Sequence, residues 1–141
     1  MNRRTVIGAG VALVVSNQAL AQSVTRVKIT EPEKLKKDWD DAEFTFQNQA
    51  CVLVRVPTPT KTNPRLLEYK DVFYAAYSRT CTHIGCISQL PNNLRQLECG
   101  CHGSVFSALD GSVIMGPATT ALRAIELEIV SGSIFAVNWQ K

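Results

Sequence analysis

Four of the five cysteines and both histidines of this 141-residue chain lie in two short stretches, CTHIGC at 81–86 and CGCHGS at 99–104. Thiolate and imidazole are ligands for soft and borderline metals, so two such knots are a statement about chemistry before they are one about fold. The first sets Cys81, His83 and Cys86 in the spacing C-x-H-x2-C, and the second sets Cys99, Cys101 and His102 in the spacing C-x-C-H. Haem attachment requires two residues between the cysteines that precede the histidine, and CGCH has one, so that chemistry is excluded. A structural zinc site closes with four ligands drawn from C-x2-C or H-x3-H pairs and leaves two of these six idle. Two ordinary disulfides of an exported protein use the four cysteines and leave the histidines unexplained.

CTHIGC followed after twelve residues by CGCHGS resembles the Rieske iron-sulfur signature, C-T-H-x-G-C and C-x-C-H-G-S, with every cysteine and histidine in place. The resemblance implies a [2Fe-2S] cluster with one iron on two thiolates and the other on two imidazoles. Carried over position by position, it implies Cys81 and Cys99 as cysteine ligands and His83 and His102 as histidine ligands. Cys86 and Cys101 match the pair that forms a disulfide between the cluster loops in the respiratory branch of the family. Ser104 resembles the serine whose hydroxyl donates to a bridging sulfide.

Each stretch brings one Cys and one His of the implied ligand set, so both loops must be fixed before either iron is fully held. Gly85 and Gly103 leave room where backbone comes near inorganic sulfide. N–H and O–H donors aimed at the sulfurs stabilise the reduced, more negative cluster and raise its potential. Two positions depart from the family pattern: Gly100 replaces the usual proline after the second ligand cysteine, and Phe106 stands where a tyrosine is common. Phenylalanine has no hydroxyl to donate, so the potential is expected to lie below that of a tyrosine-bearing relative. GPA at 116–118 resembles the proline loop that covers the cluster. Cys51, left without a partner, is expected to be a buried strand cysteine.

These loops need a scaffold, and the pattern around them is β. EFTFQ at 43–47, CVLVRV at 51–56, VFYAAYS at 72–78, SVIMG at 112–116, RAIELEIV at 123–130 and SIFAVNW at 133–139 have strand character. Ile125, Leu127 and Ile129 alternate with polar residues, as a strand with one buried face requires. TPTKTNP at 58–64 reads as a loop, and LDGS at 109–112 and SGS at 131–133 read as hairpin turns. The charged stretch at 31–41 could make one short helix or a surface arm held down by Trp39. The expectation is an all-β protein, a small antiparallel sandwich or barrel of the Rieske type, with a cluster-binding subdomain formed by two loops.

The first 21 residues are set aside from the fold. Arg3 and Arg4, the apolar run Val6–Val15 and the small-residue pattern ALA at 19–21 predict an export signal cleaved after Ala21. A membrane span needs about 20 apolar residues, and Ser16, Asn17 and Gln18 interrupt this run too early. NRRTVIG resembles the twin-arginine signal, whose route carries folded cargo. The expected organisation is therefore a signal at 1–21 and a Rieske domain at 22–141. Without the signal, 13 Lys and Arg face 12 Asp and Glu. No basic stripe remains to meet nucleic acid.

No other catalytic constellation is present, so the chain reads as a redox subunit or carrier rather than a complete enzyme. EFTFQNQACVLVRV and DVFYAAYSRTCTHIGC are similar to the approach to the cluster in the small subunit of arsenite oxidase. That resemblance implies a periplasmic partner of a catalytic subunit, with a c-type cytochrome as a further acceptor and no membrane association unless the signal is kept as an anchor. Two alternatives stand beside it: the Rieske subunit of a quinol-oxidising cytochrome bc-type complex and, from a different class, a zinc-stabilised binding module. A ferredoxin-like carrier for a ring dioxygenase ranks behind them, because such carriers are cytoplasmic and usually lack the disulfide pair.

Overall fold

A computed structural model describes residues 25–141. The export signal read at 1–21 lies outside the described residues. Ten strands in three antiparallel sheets make up the described chain, which meets the all-β expectation. β1 (Val27–Thr30), β10 (Ser133–Trp139) and β9 (Ile125–Val130) form one sheet in the order β1-β10-β9. β2 (Asp41–Phe46), β3 (Gln49–Val56), β5 (Val72–Ser78) and β4 (Leu66–Tyr69) form a second, in the order β2-β3-β5-β4. β6 (Gln96–Glu98), β7 (Val105–Ser107) and β8 (Val113–Met115) form the third, between and around the cysteine-histidine loops.

The four-stranded sheet is the middle layer, and the two-residue side-chain period of β3 and β5 divides its residues between two cores. Cys51, Leu53, Tyr74 and Ala76 pack with Ile125, Ile134, Ala136 and Trp139 on one side. Val52, Val54, Val56, Ala75 and Tyr77 pack on the other with Cys81, Cys99, Leu97, Phe106, Ala118 and Leu122. Cys51 to Val54 are therefore buried on both faces, and the unbroken apolar run CVLV reflects a sandwiched strand rather than an alternating one. Tyr77, 1% exposed, reaches through this second core and donates its hydroxyl to the carbonyl of Ala108 at 2.7 Å, fixing the small sheet on the middle one.

Three hairpins close through two-residue turns with both residues at positive φ: Gln47–Asn48, Lys70–Asp71 and Ser131–Gly132. This is the turn whose twist matches that of paired strands. The expected turn at 131–133 is among them, whereas Asp110–Gly111 differs from expectation. β7 and β8 are joined by the longer stretch 108–112, because Ala108 is held away from the hairpin by Arg95, whose carbonyl accepts its N–H, and by Tyr77. The charged stretch at 31–41 holds a single 3-10 turn, Pro32–Lys34, followed by a loop whose Asp40 carboxylate accepts the N–H groups of Lys36 and Lys37. Trp39 is partly buried against the core that contains Cys81 and Cys99.

Cys51 is a buried free thiol, and burial raises its pKa from 9 to about 11. The unfolded chain then ionises first, so stability is level below about pH 9 and falls as pH rises toward 11. Above about pH 10 the buried phenols of Tyr74 and Tyr77, also raised, add a fall of the same sign. Cys51→Ala is expected to flatten the urea midpoint between pH 8 and 10, and an unchanged slope would remove the thiol as its cause.

Candidate metal centre

The two loops share one internal plan. In each, the first cysteine donates its N–H to the carbonyl five residues on, Cys81 to Cys86 at 2.6 Å and Cys99 to Ser104 at 2.8 Å. The glycine four residues after that cysteine returns its own N–H to the cysteine carbonyl, Gly85 to Cys81 at 2.9 Å and Gly103 to Cys99 at 3.0 Å. Closing so short a loop demands a left-handed residue, and Gly85 and Gly103 sit at φ 82° and 77°. The cysteine of each loop is thereby turned inward and the histidine outward. Cys81 and Cys99 are each 2% exposed, while His83 and His102 are exposed with ring centroids 5.1 Å apart.

Cys86 and Cys101 are joined as a disulfide across the two loops, with Cα atoms 6.5 Å apart. Cys81 and Cys99 remain free thiols. The Cys99 sulfur lies within 4.8 Å of both disulfide sulfurs. That trio is no metal site, because two of its three sulfurs are bonded to each other and carry no thiolate. Among the described residues it is also the only group in which three such donor atoms come this close. A single tetrahedral zinc needs four donors within about 4 Å of one another, which Cys81, His83, Cys99 and His102 do not provide. Two buried thiols and two outward imidazoles, one of each from either loop, suit a centre with more than one metal.

A third segment, not foreseen as more than a cover, is stitched to both loops. Ala118 donates its N–H to the Ser104 hydroxyl oxygen at 3.1 Å, and the Thr82 hydroxyl donates to the Thr120 carbonyl at 2.6 Å. Gly116, at φ 96°, approaches so closely that a Cβ there would lie 2.5 Å from the Ser104 Cα and 2.7 Å from the Gly103 carbonyl oxygen. With its oxygen accepting from Ala118, the fully buried Ser104 hydroxyl keeps its hydrogen free to donate elsewhere in the site.

Thr82 is the residue that sequence reasoning missed, and Gly116 is legible there only as part of a covering loop. Gly-Pro signals a turn, but only the fold shows what the turn touches. The loops and the segment themselves carry no charge: 80–94, 99–109 and 111–122 contain no Asp, Glu, Lys or Arg. Ile84, Ile87 and Met115 stand 55%, 59% and 59% exposed.

A family model described as the Rieske [2Fe-2S] domain matches residues 25–126. The cytochrome bc1 complex Rieske iron-sulfur subunit of Streptomyces lividans is 33% identical over 100 residues, 70% of this chain and 59% of that protein. The cytochrome b6-f complex iron-sulfur subunit of Gloeobacter violaceus is 31% identical over 72 residues, 51% of this chain and 38% of that protein. The chain thus spans less than two thirds of the length of these curated relatives. The soluble domain of the Rieske protein II from Sulfolobus acidocaldarius shares the fold, with a TM-score of 0.59 and 22% identity over 79% of this chain and 76% of that one.

Proposed function

Because the chain belongs to the Rieske [2Fe-2S] domain family, we propose that it transfers electrons through a [2Fe-2S] cluster, as an exported soluble protein or small subunit of an oxidoreductase. Cys81 and Cys99 hold one iron in this reading and His83 and His102 the other, with Ser104 donating toward the sulfur. The observation that carries it is the donor set, in which two loops of the same plan each turn one thiol inward and one imidazole outward. When bound, the cluster supplies a one-electron couple in the range of roughly −150 to +300 mV.

The chain's own residues do the rest. The burial of Cys81 and Cys99 keeps water from the thiolate side, and the disulfide and the segment 116–120 hold the loops together. The exposed imidazoles form the face that a redox partner reaches. Isoleucine and methionine surround that face, so the contact is apolar rather than a pairing of charges.

In the same reading residues 1–21 direct export to the periplasm and residues 22–141 form the working domain. The partner is a catalytic subunit of the arsenite oxidase type, with a c-type cytochrome as acceptor. A second system, the iron-sulfur subunit of a quinol-oxidising complex, is favoured by the disulfide and by the names of the curated relatives. Pull-down from native cells separates the two, through a molybdenum-containing subunit in the first case and a b-type cytochrome in the second. The reading itself is tested by the visible and electron paramagnetic resonance spectra of the purified chain before and after dithionite. A colourless protein that binds zinc would replace it with the binding-module reading.

Phe106 is fully buried in the same core as Cys81 and Cys99. Phe106→Tyr is expected to raise the potential by on the order of 50 mV, close to one factor of ten in a one-electron equilibrium. An unchanged potential in a folded, coloured variant would show that the added hydroxyl does not reach the centre.

A further inference from the structure

The Cys99 thiol is buried, free and within 4.8 Å of both sulfurs of the Cys86–Cys101 disulfide. Thiol–disulfide exchange needs a thiolate within reach of a disulfide sulfur and no outside reagent. We propose that in the cluster-free chain Cys99 attacks this disulfide, so that the two cluster loops carry a built-in exchange that disables the site unless iron and sulfide arrive first.

The step balances within the chain. The Cys99 thiolate attacks the Cys86 sulfur, the Cys86–Cys101 bond breaks, a Cys86–Cys99 bond forms, and Cys101 leaves as the new thiolate. No net oxidation or reduction takes place. Attack in this direction is favoured because the leaving Cys101 is exposed, where water solvates the thiolate. Attack on the Cys101 sulfur instead would bridge Cys99 to Cys101 across a single residue, Gly100, and force a tightly closed ring. Cys86 and Cys99 are thirteen residues apart, against fifteen for the observed pair, so loop closure costs almost the same in either pairing.

The exchange itself follows from the geometry, whereas protection by the cluster rests on the functional reading above. A Cys99 sulfur committed to iron is no longer a free nucleophile. Cluster insertion must then precede, or accompany, formation of the disulfide. Export of an already folded and loaded chain satisfies that order.

The test compares two preparations of the full-length chain: one coloured, and one expressed under iron starvation and colourless. Both are oxidised by air in reductant-free buffer, and the folded fraction is collected by size exclusion. Free thiols are then alkylated in denaturant after an acid quench and located by peptide fragmentation. The expected map has Cys51, Cys81 and Cys99 labelled in the coloured chain. In the colourless chain the label moves from Cys99 to Cys101, together with a Cys86–Cys99 cross-link. Cys99→Ser, prepared without cluster, is expected to lose the Cys101 label and keep the Cys86–Cys101 cross-link. A colourless wild-type chain with only the Cys86–Cys101 cross-link, labelled at Cys51, Cys81 and Cys99 alone, would overturn the proposal. A wild-type chain that never acquires colour under iron-replete expression would overturn the functional reading, while the thiol map would still decide the exchange.

Discussion

Cys81→Ala is expected to give a colourless chain whose iron content falls to background, while Cys51→Ala keeps its colour. Both cysteines are free and buried, at 2% and 0% exposure, so burial and thiol chemistry do not distinguish them. Position does. Cys51 lies on β3, facing the core between the middle sheet and β1-β10-β9, with its sulfur donating to the Gln49 carbonyl at 3.3 Å. Cys81 heads the first loop and belongs to the opposite core, with Cys99. In the proposed ligand set, losing one of two thiolates leaves an iron without half its protein ligands, and ligand loss in such a centre abolishes rather than weakens binding. Absorbance and iron assay on the purified variants check the contrast. Retention of colour by Cys81→Ala would mean that another group holds the metal.

Gly116→Ala is the second large effect. The left-handed backbone at Gly116 costs a non-glycine residue about 1–2 kcal/mol. The new methyl must also displace backbone atoms of Gly103 and Ser104 at under 3 Å, which adds about 1–3 kcal/mol of overpacking. The cost falls on one place. When the segment lifts, Ser104 loses the Ala118 N–H and Thr82 loses the Thr120 carbonyl, so both loops lose their tie to it at once. The expected results are a thermal midpoint lowered by about 10 °C and faster bleaching of the cluster on dilution. Gly100→Ala is the control. It lies between Cys99 and Cys101 with nothing within 4 Å of an added Cβ and no left-handed φ, so a change within about 0.5 kcal/mol is expected. Equal effects at the two positions would show that loop flexibility, not close approach, sets the stability of the site.

Much of the scaffold was legible because strand patterns are local. Six strand-like stretches predicted from composition coincide with β2, β3, β5, β8, β9 and β10, within a few residues at their ends. The strands that escaped notice, β1, β4, β6 and β7, are three or four residues long, too short for a two-residue period to register, and none is the unbroken apolar run that marked the equally short β8. The turns Gln47–Asn48 and Lys70–Asp71 escaped for a related reason. Their left-handed residues are not glycine, and the partner strands impose a conformation that the residue types only tolerate.

Residue chemistry and spacing alone determined that this chain carries two knots of thiol and imidazole, because ligand type and local spacing are properties of the covalent chain. The tertiary structure decided what each of those groups meets. It set β3 and β5 as a layer with two faces, and so placed Cys51 in one core and Cys81 and Cys99 in the other. It paired Cys86 with Cys101 and left Cys99 beside them. It also laid Gly116 against Ser104 and Thr120 against Thr82, contacts between residues 12 and 38 positions apart. Such contacts arise when separate segments are packed on a common sheet, and no spacing within a single loop encodes them.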